Sequence, residues 1–142
     1  AQAQSGGEPA PQPESAGQAV RRYGIVDMGS NAIRMQIVAV RPDGTTESVE
    51  SHREPVRLGR EVFLTGMIPE ETVTAAVEVF RRFRETCDSY QVDRIRAVAT
   101  SATREALNGD LLLERIHNSS GIDIEVISGT EEALLLNSAV QG

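Results

Sequence analysis

The chain has 142 residues, 39% of them hydrophobic, and a formal net charge of −7. That size predicts one domain with a modest core. The acidic balance excludes a nonspecific nucleic-acid binder and a polybasic membrane anchor, since both need a basic stripe. All 14 basic residues are arginine. Biased genome composition explains the missing lysine, but guanidinium groups also suit bidentate phosphate contacts. An acidic domain can hold phosphate where a few arginines, backbone N–H groups or a Mg²⁺ ion converge. The single cysteine, Cys87, cannot form an internal disulfide and reads as a small core residue. His52 and His117 lie far apart, without zinc-site spacing. No apolar run approaches the roughly 18 residues of a membrane helix. The expectation is a soluble cytoplasmic protein without nucleic acid or membrane as a partner.

Residues 1–21 are rich in Pro, Gly, Ser, Gln and Ala and read as a disordered tail, with the folded domain over 22–142. Tyr23 to Val26, ending at Asp27, has a buried-strand pattern, and Met28 to Asn31 reads as a tight turn. Ala32 to Val40 is a second strand, with Ile33, Met35, Ile37 and Ala39 on one face. Arg41-Pro42-Asp43-Gly44 predicts a hairpin turn. The polar third strand, Thr45 to Arg53, is expected at a sheet edge. Residues 54–69, with Pro55, Gly59, Gly66 and Pro69, read as an irregular connection. Pro69 opens a helix, with Glu70 and Glu71 favourable in its first turn. Val73, Ala76, Val77, Phe80, Phe83, Cys87 and Tyr90 form its apolar face.

Asp93 to Ala99 is the fourth strand, with Ile95, Ala97 and Ala99 facing away from Arg94, Arg96 and Val98. Thr100-Ser101 then caps a short helix to Leu107, and Asp110 caps another that Gly121 stops. Ile122 to Ile127 is the fifth strand, and Ser128 opens a last helix. The order βββαβααβα predicts an α/β domain with a mixed five-stranded sheet. It matches the ribonuclease-H-like half-domain duplicated in actin, Hsp70 and the sugar kinases, and a fold alone does not give a function.

Three segments can carry chemistry. In Asp27-Met28-Gly29-Ser30-Asn31, a carboxylate at a strand end can hold a water or a metal-bound water. Gly29 lets backbone approach a phosphate, and Ser30 and Asn31 add polar groups. The same residue types make ordinary turns. Arg34 can point at the same phosphate or be a solvated edge charge. In the second segment, Thr100, Ser101 and Arg104 follow a strand end, where α/β sheets gather anionic ligands. An ordinary helix N-cap reads the same way. In the third, Ser128 and Glu131 fit a capping box, leaving Glu132 as a candidate general base or a second acidic residue on the helix dipole. All three segments fall at one edge of the predicted sheet.

Asp27-Met28-Gly29-Ser30-Asn31 with Arg34, then Arg57-Leu58-Gly59, then Arg94 to Ala102 with Arg104 and Asn108, then Gly121 to Gly129 with Glu131-Glu132-Ala133, together resemble the exopolyphosphatase / guanosine pentaphosphate phosphohydrolase (Ppx/GppA) family. The resemblance runs over about residues 22–140. It implies the first of two actin-like lobes, with phosphate in the cleft between them. It also implies Mg²⁺ as cofactor and attack of water on a terminal phosphoanhydride of polyphosphate or guanosine pentaphosphate. By the same resemblance Glu132 is the catalytic base. Asp27 is a catalytic residue and a metal ligand through water. Gly29, Ser30, Asn31, Arg34, Thr100, Ser101 and Arg104 hold phosphate.

The chain departs from the family in having Leu134 where Arg is usual, which bears on fine specificity. The family's second phosphate loop, Asp-Ile-Gly-Gly-Gly-Ser, and its second lobe are expected beyond Gly142. This segment alone is therefore expected to be inactive or nearly so, with the missing lobe as its main partner. Leu134, Leu135 and Leu136 are expected to drive self-association, as in a homodimer. Two other readings share the fold: an ATPase or sugar-kinase-like lobe, and a non-catalytic module that senses polyphosphate or nucleotide.

Overall fold

The computed structural model describes residues 19–127. The tail over 1–18 and the final segment from Ser128, including Glu131, Glu132 and the Leu134–Leu136 run, lie outside the described residues. In chain order the elements are β1 (Arg21–Met28), β2 (Ile33–Val40), β3 (Thr46–Glu54), α1 (Gly59–Thr65), α2 (Glu70–Ser89), β4 (Arg94–Ala99), α3 (Ser101–Glu105), α4 (Gly109–Ser120) and β5 (Ile124–Val126). They build one five-stranded sheet in the order β3-β2-β1-β4-β5. β1, β2 and β3 pair antiparallel, and β4 and β5 add in parallel. This is the mixed sheet expected from the sequence, with the polar β3 at its edge.

Alternation along the strands sorts the two faces. Val26, Met28, Ile33, Met35, Ile37, Ala97 and Ala99 are buried on one face, beneath α2 and α4. From α2 come Val73, Ala76, Val79, Phe80, Phe83 and Cys87; from α4 come Leu112 and Ile116. Gly24 sets the approach of α2, since a Cβ there would stand 3.0 Å from the Cys87 sulfur. Burial pushes the Cys87 thiol up to about 11. Val77 and Tyr90 are only partly buried; Val79 takes the place expected for them.

Three local expectations need correction. First, the supposed irregular stretch contains α1, which ends at Gly66 in the left-handed conformation (φ 80°), with the Gly66 N–H donating to the Val62 carbonyl. Only Val62 of this helix is buried, while Phe63 is 88% exposed, so no apolar stripe announces it. Second, Asn108, not Asp110, occupies the N-cap position of α4; Asp110 sits in the first turn, where its charge suits the dipole. Third, α3 stops at Glu105, and Thr100 at its N-cap makes no side-chain capping bond. Val98 lies on the same face as Arg94 and Arg96, as expected, and is 5% exposed.

No helix among the described residues is long and apolar enough to cross a membrane.

Candidate functional site

The open face of the sheet carries the candidate site near one edge. Strand register lines up Arg53 of β3, Arg34 of β2, Asp27 of β1, Val98 of β4 and Glu125 of β5 in one row. Asp27 and Arg34 are therefore cross-strand neighbours on one face. They form no ion pair with each other, and no basic group lies within ion-pair distance of Asp27 among the described residues. Asp27 Oδ1 is shielded from solvent and accepts no hydrogen bond from the described residues. A buried carboxylate oxygen without a donor costs free energy that a cation or a water-bound metal would recover. Asp27, Arg34, Gln36, Ser51, His52 and Arg53 contribute to the lining of a concavity of about 400 Å³.

The turn after Asp27 is held from two sides. The Gly29 N–H donates to the Ala32 carbonyl at 3.0 Å, and the Gly59 N–H donates to the Ser30 carbonyl at 2.9 Å. The Gly29 N–H is thus spent on the turn itself. The N–H groups of Ser30 and Asn31 have no backbone acceptor among the described residues. A Cβ on Gly29 would meet nothing closer than the Ala32 carbonyl oxygen at 3.5 Å. Gly59 has no such freedom: its Cβ would stand 2.8 Å from Ser30 Cβ. The start of α1 is therefore a brace for the turn, and this explains the glycine of the Arg57-Leu58-Gly59 segment. Gly59→Ala is expected to displace Ser30, lowering phosphate affinity at least about tenfold for a lost charge-assisted contact. Gly29→Ala is the comparison that leaves the turn in place. Phosphate titration of both variants checks this; equal affinities in Gly59→Ala and the parent remove the brace.

The second segment reaches the same edge through the backbone. The Thr100 N–H donates to the Met28 carbonyl at 3.3 Å, joining the end of β4 to the end of β1. The Ile127 N–H donates to the Ala99 carbonyl at 2.9 Å, so β5 ends there too. Because neither Thr100 nor Ser101 caps α3, their hydroxyls are not committed to the helix. Arg104 is exposed in the last turn of α3. Asn108 serves structure: its amide donates to the Ile68 carbonyl and accepts from the Ile68 N–H, both at 2.9 Å.

Charge is distributed unevenly. Arg41, Arg81, Arg82, Arg84, Arg96 and Arg115 each reach a carboxylate. Arg34, Arg53, Arg57, Arg60 and Arg104, on elements that meet at the site edge, have no such partner among the described residues. Arg21, Arg22 and Arg94, where β1 and β4 begin, also lack one among the described residues, so unneutralised guanidinium groups lie at both ends of the sheet. Arg53 was missed as a site residue in the sequence because it reads as ordinary edge-strand charge. The available signal was its alternation with His52, which puts it on the face of Arg34.

Residues 37–142 match the model of the Ppx/GppA phosphatase family. The chain belongs to that family. It is 30% identical to a guanosine-5'-triphosphate,3'-diphosphate pyrophosphatase of Vibrio atlanticus, covering 83% of this chain and 24% of the relative. It is 28% identical to exopolyphosphatase 1 of Mycobacterium leprae, covering 84% and 35%. Among solved structures, the Aquifex aeolicus Ppx/GppA protein superposes with a TM-score of 0.77 at 30% identity, over 80% of this chain and 37% of that one. An exopolyphosphatase of Cytophaga hutchinsonii gives 0.75 at 33%, over 81% and 36%. The chain therefore spans about a quarter to a third of the length of these Ppx/GppA relatives, and its fold is theirs.

Proposed function

We propose that the protein carrying this chain hydrolyses the terminal phosphoanhydride of inorganic polyphosphate, of guanosine pentaphosphate, or of both. The observation that carries this reading is the Asp27 carboxylate oxygen, which among the described residues is buried without a donor, beside an Arg34 without an ion-pair partner and a turn whose Ser30 and Asn31 N–H groups have no backbone acceptor. Family membership supplies the reaction class, and the names of the relatives supply the two substrates.

In this reading Arg34 and Arg104 take the charge of the terminal phosphoryl group. The Ser30 and Asn31 N–H groups and the Thr100 and Ser101 hydroxyls orient its oxygens. Glu132, five residues beyond the end of the described chain, accepts the proton of the attacking water. Phosphoryl transfer to water asks mainly for such positioning and charge neutralisation. Among the described residues no cluster of three or more metal-ligating side chains occurs. Mg²⁺ keeps several waters and needs only one or two carboxylates. Asp27 would hold the ion, directly or through water, and the bound ion would neutralise charge on the phosphate oxygens.

The test is orthophosphate release from polyphosphate and from guanosine pentaphosphate by the full-length protein, with Mg²⁺ and after its removal by chelation. Release that stops on chelation and falls by about a hundredfold or more in Glu132→Gln, the scale of a general base, is the expected result. Binding of either substrate with no release would leave a non-catalytic sensor instead.

A further inference from the structure

The established likeness concerns the phosphate that is cleaved. Arg53 lies one strand further out and has no role in that chemistry. Its Cα partner in register is Arg34, so two guanidinium side chains stand directly opposite each other on β3 and β2. Like charges in that position repel and weaken the pairing of the strands. Six other arginines of this chain are relieved by carboxylates, whereas these two, like Arg21, Arg22, Arg57, Arg60, Arg94 and Arg104, are not among the described residues.

Asp27, in register with Arg34, makes no ion pair with it, and the other nearby carboxylates are engaged elsewhere or face away. Both oxygens of Glu50 are taken, one by the Tyr90 hydroxyl at 3.0 Å and the other by His52 at 2.7 Å. Glu125, at the far end of the row, is held by Arg96 at 3.0 Å. Glu54 is in register with the buried Ile33, on the opposite face of the sheet from Arg53.

Both arginines line the concavity that contains Asp27. Next to them in register lies a second polar pair, Gln36 opposite Ser51, which lines the same hollow. About 400 Å³ is more than a single phosphoryl group fills, and lies within the range of sites for extended ligands. Adjacent strands are about 4.8 Å apart, so the two forks are spaced to hold successive groups of one anionic chain.

We propose that Arg53, with Arg34, forms a second phosphate subsite for the penultimate phosphoryl group of a phosphoanhydride chain. The inference rests on the phosphatase reading only for the direction in which the chain runs. Arg53 binds the substrate but does not touch the reacting atoms. It selects substrates that carry a phosphoanhydride chain over those that carry a single phosphate.

The experiment compares binding of tripolyphosphate and of orthophosphate to the full-length protein in EDTA, for the parent, Arg53→Gln and Arg53→Lys. Arg53→Gln is expected to weaken tripolyphosphate by about tenfold or more, the scale of a lost charge-assisted contact, and orthophosphate by less than about twofold. Arg53→Lys keeps the charge without the planar fork and should fall between. Steady-state rates on polyphosphate should show a raised KM with unchanged kcat in Arg53→Gln. Removing an opposed charge should leave the melting temperature level or higher, so a weakened site is not confused with a damaged fold. Tripolyphosphate affinity unchanged in Arg53→Gln, or both ligands weakened equally, overturns the subsite. A parent that releases no orthophosphate but binds tripolyphosphate through Arg53 overturns the phosphatase reading and leaves the subsite standing.

Discussion

Replacing Asp27 with asparagine is expected to lower orthophosphate release by about a hundredfold or more, the cost of losing one preorganised electrostatic group at a reacting centre. The same replacement should leave stability unchanged or raise it by about 1 kcal/mol, because it removes an uncompensated buried charge. The two effects have one cause. Asp27 is half-buried at the end of β1, its Oδ1 is closed to solvent, and no donor in the described protein satisfies it. A carboxylate kept in that condition weakens the fold and strengthens cation binding. Asparagine keeps the shape and loses the charge, so it separates the two roles. The check is a melting curve alongside a Mg²⁺ titration of activity. Asp27→Asn that melts well below the parent would show that the carboxylate has a structural partner. Full activity at the same Mg²⁺ midpoint would remove Asp27 from the chemistry.

Most of the fold was legible because its signals are local. The alternation of β2 and the apolar face of α2 are long enough to read without knowing what packs on them. The polar composition of β3 was enough to place it at the sheet edge. What was not legible depends on contacts distant in sequence. α1 buries one side chain, Val62, and is stabilised at its ends, by Gly66 and by the contact of Gly59 with Ser30. The first candidate segment was legible by residue type, but two features of it were not. Nothing local says that the Gly29 N–H is consumed by the turn, or that α1 braces Ser30 from 29 residues away. Arg53 shows the same limit: charge on an edge strand is ordinary, and only register shows that it faces Arg34.

Gly109→Ala is expected to destabilise the domain by about 3 kcal/mol or more, at the upper end for overpacking. Its Cβ would stand 2.2 Å from the Thr103 carbonyl oxygen and 3.3 Å from the carbonyl carbon. Those atoms are backbone, so relief requires α3 to move away from α4. Both helices are anchored at this point. Asn108 binds the Ile68 backbone on one side, and the Leu107 N–H donates to the Gly66 carbonyl at 2.8 Å. The displacement would therefore reach Thr100 and Arg104, at the two ends of α3. Thermal unfolding should show the lost stability, and orthophosphate release below the melting transition should fall too. Gly44→Ala is the control. Gly44 also needs a glycine, at φ +90°, but nothing lies within 4 Å of its Cβ position, in the hairpin at the opposite end of β2 and β3 from Arg34 and Arg53. It should cost about 1 kcal/mol of left-handed strain and leave activity intact. If Gly109→Ala loses stability and keeps full activity, α3 does not position the site, and Thr100, Ser101 and Arg104 lose their claim to it together.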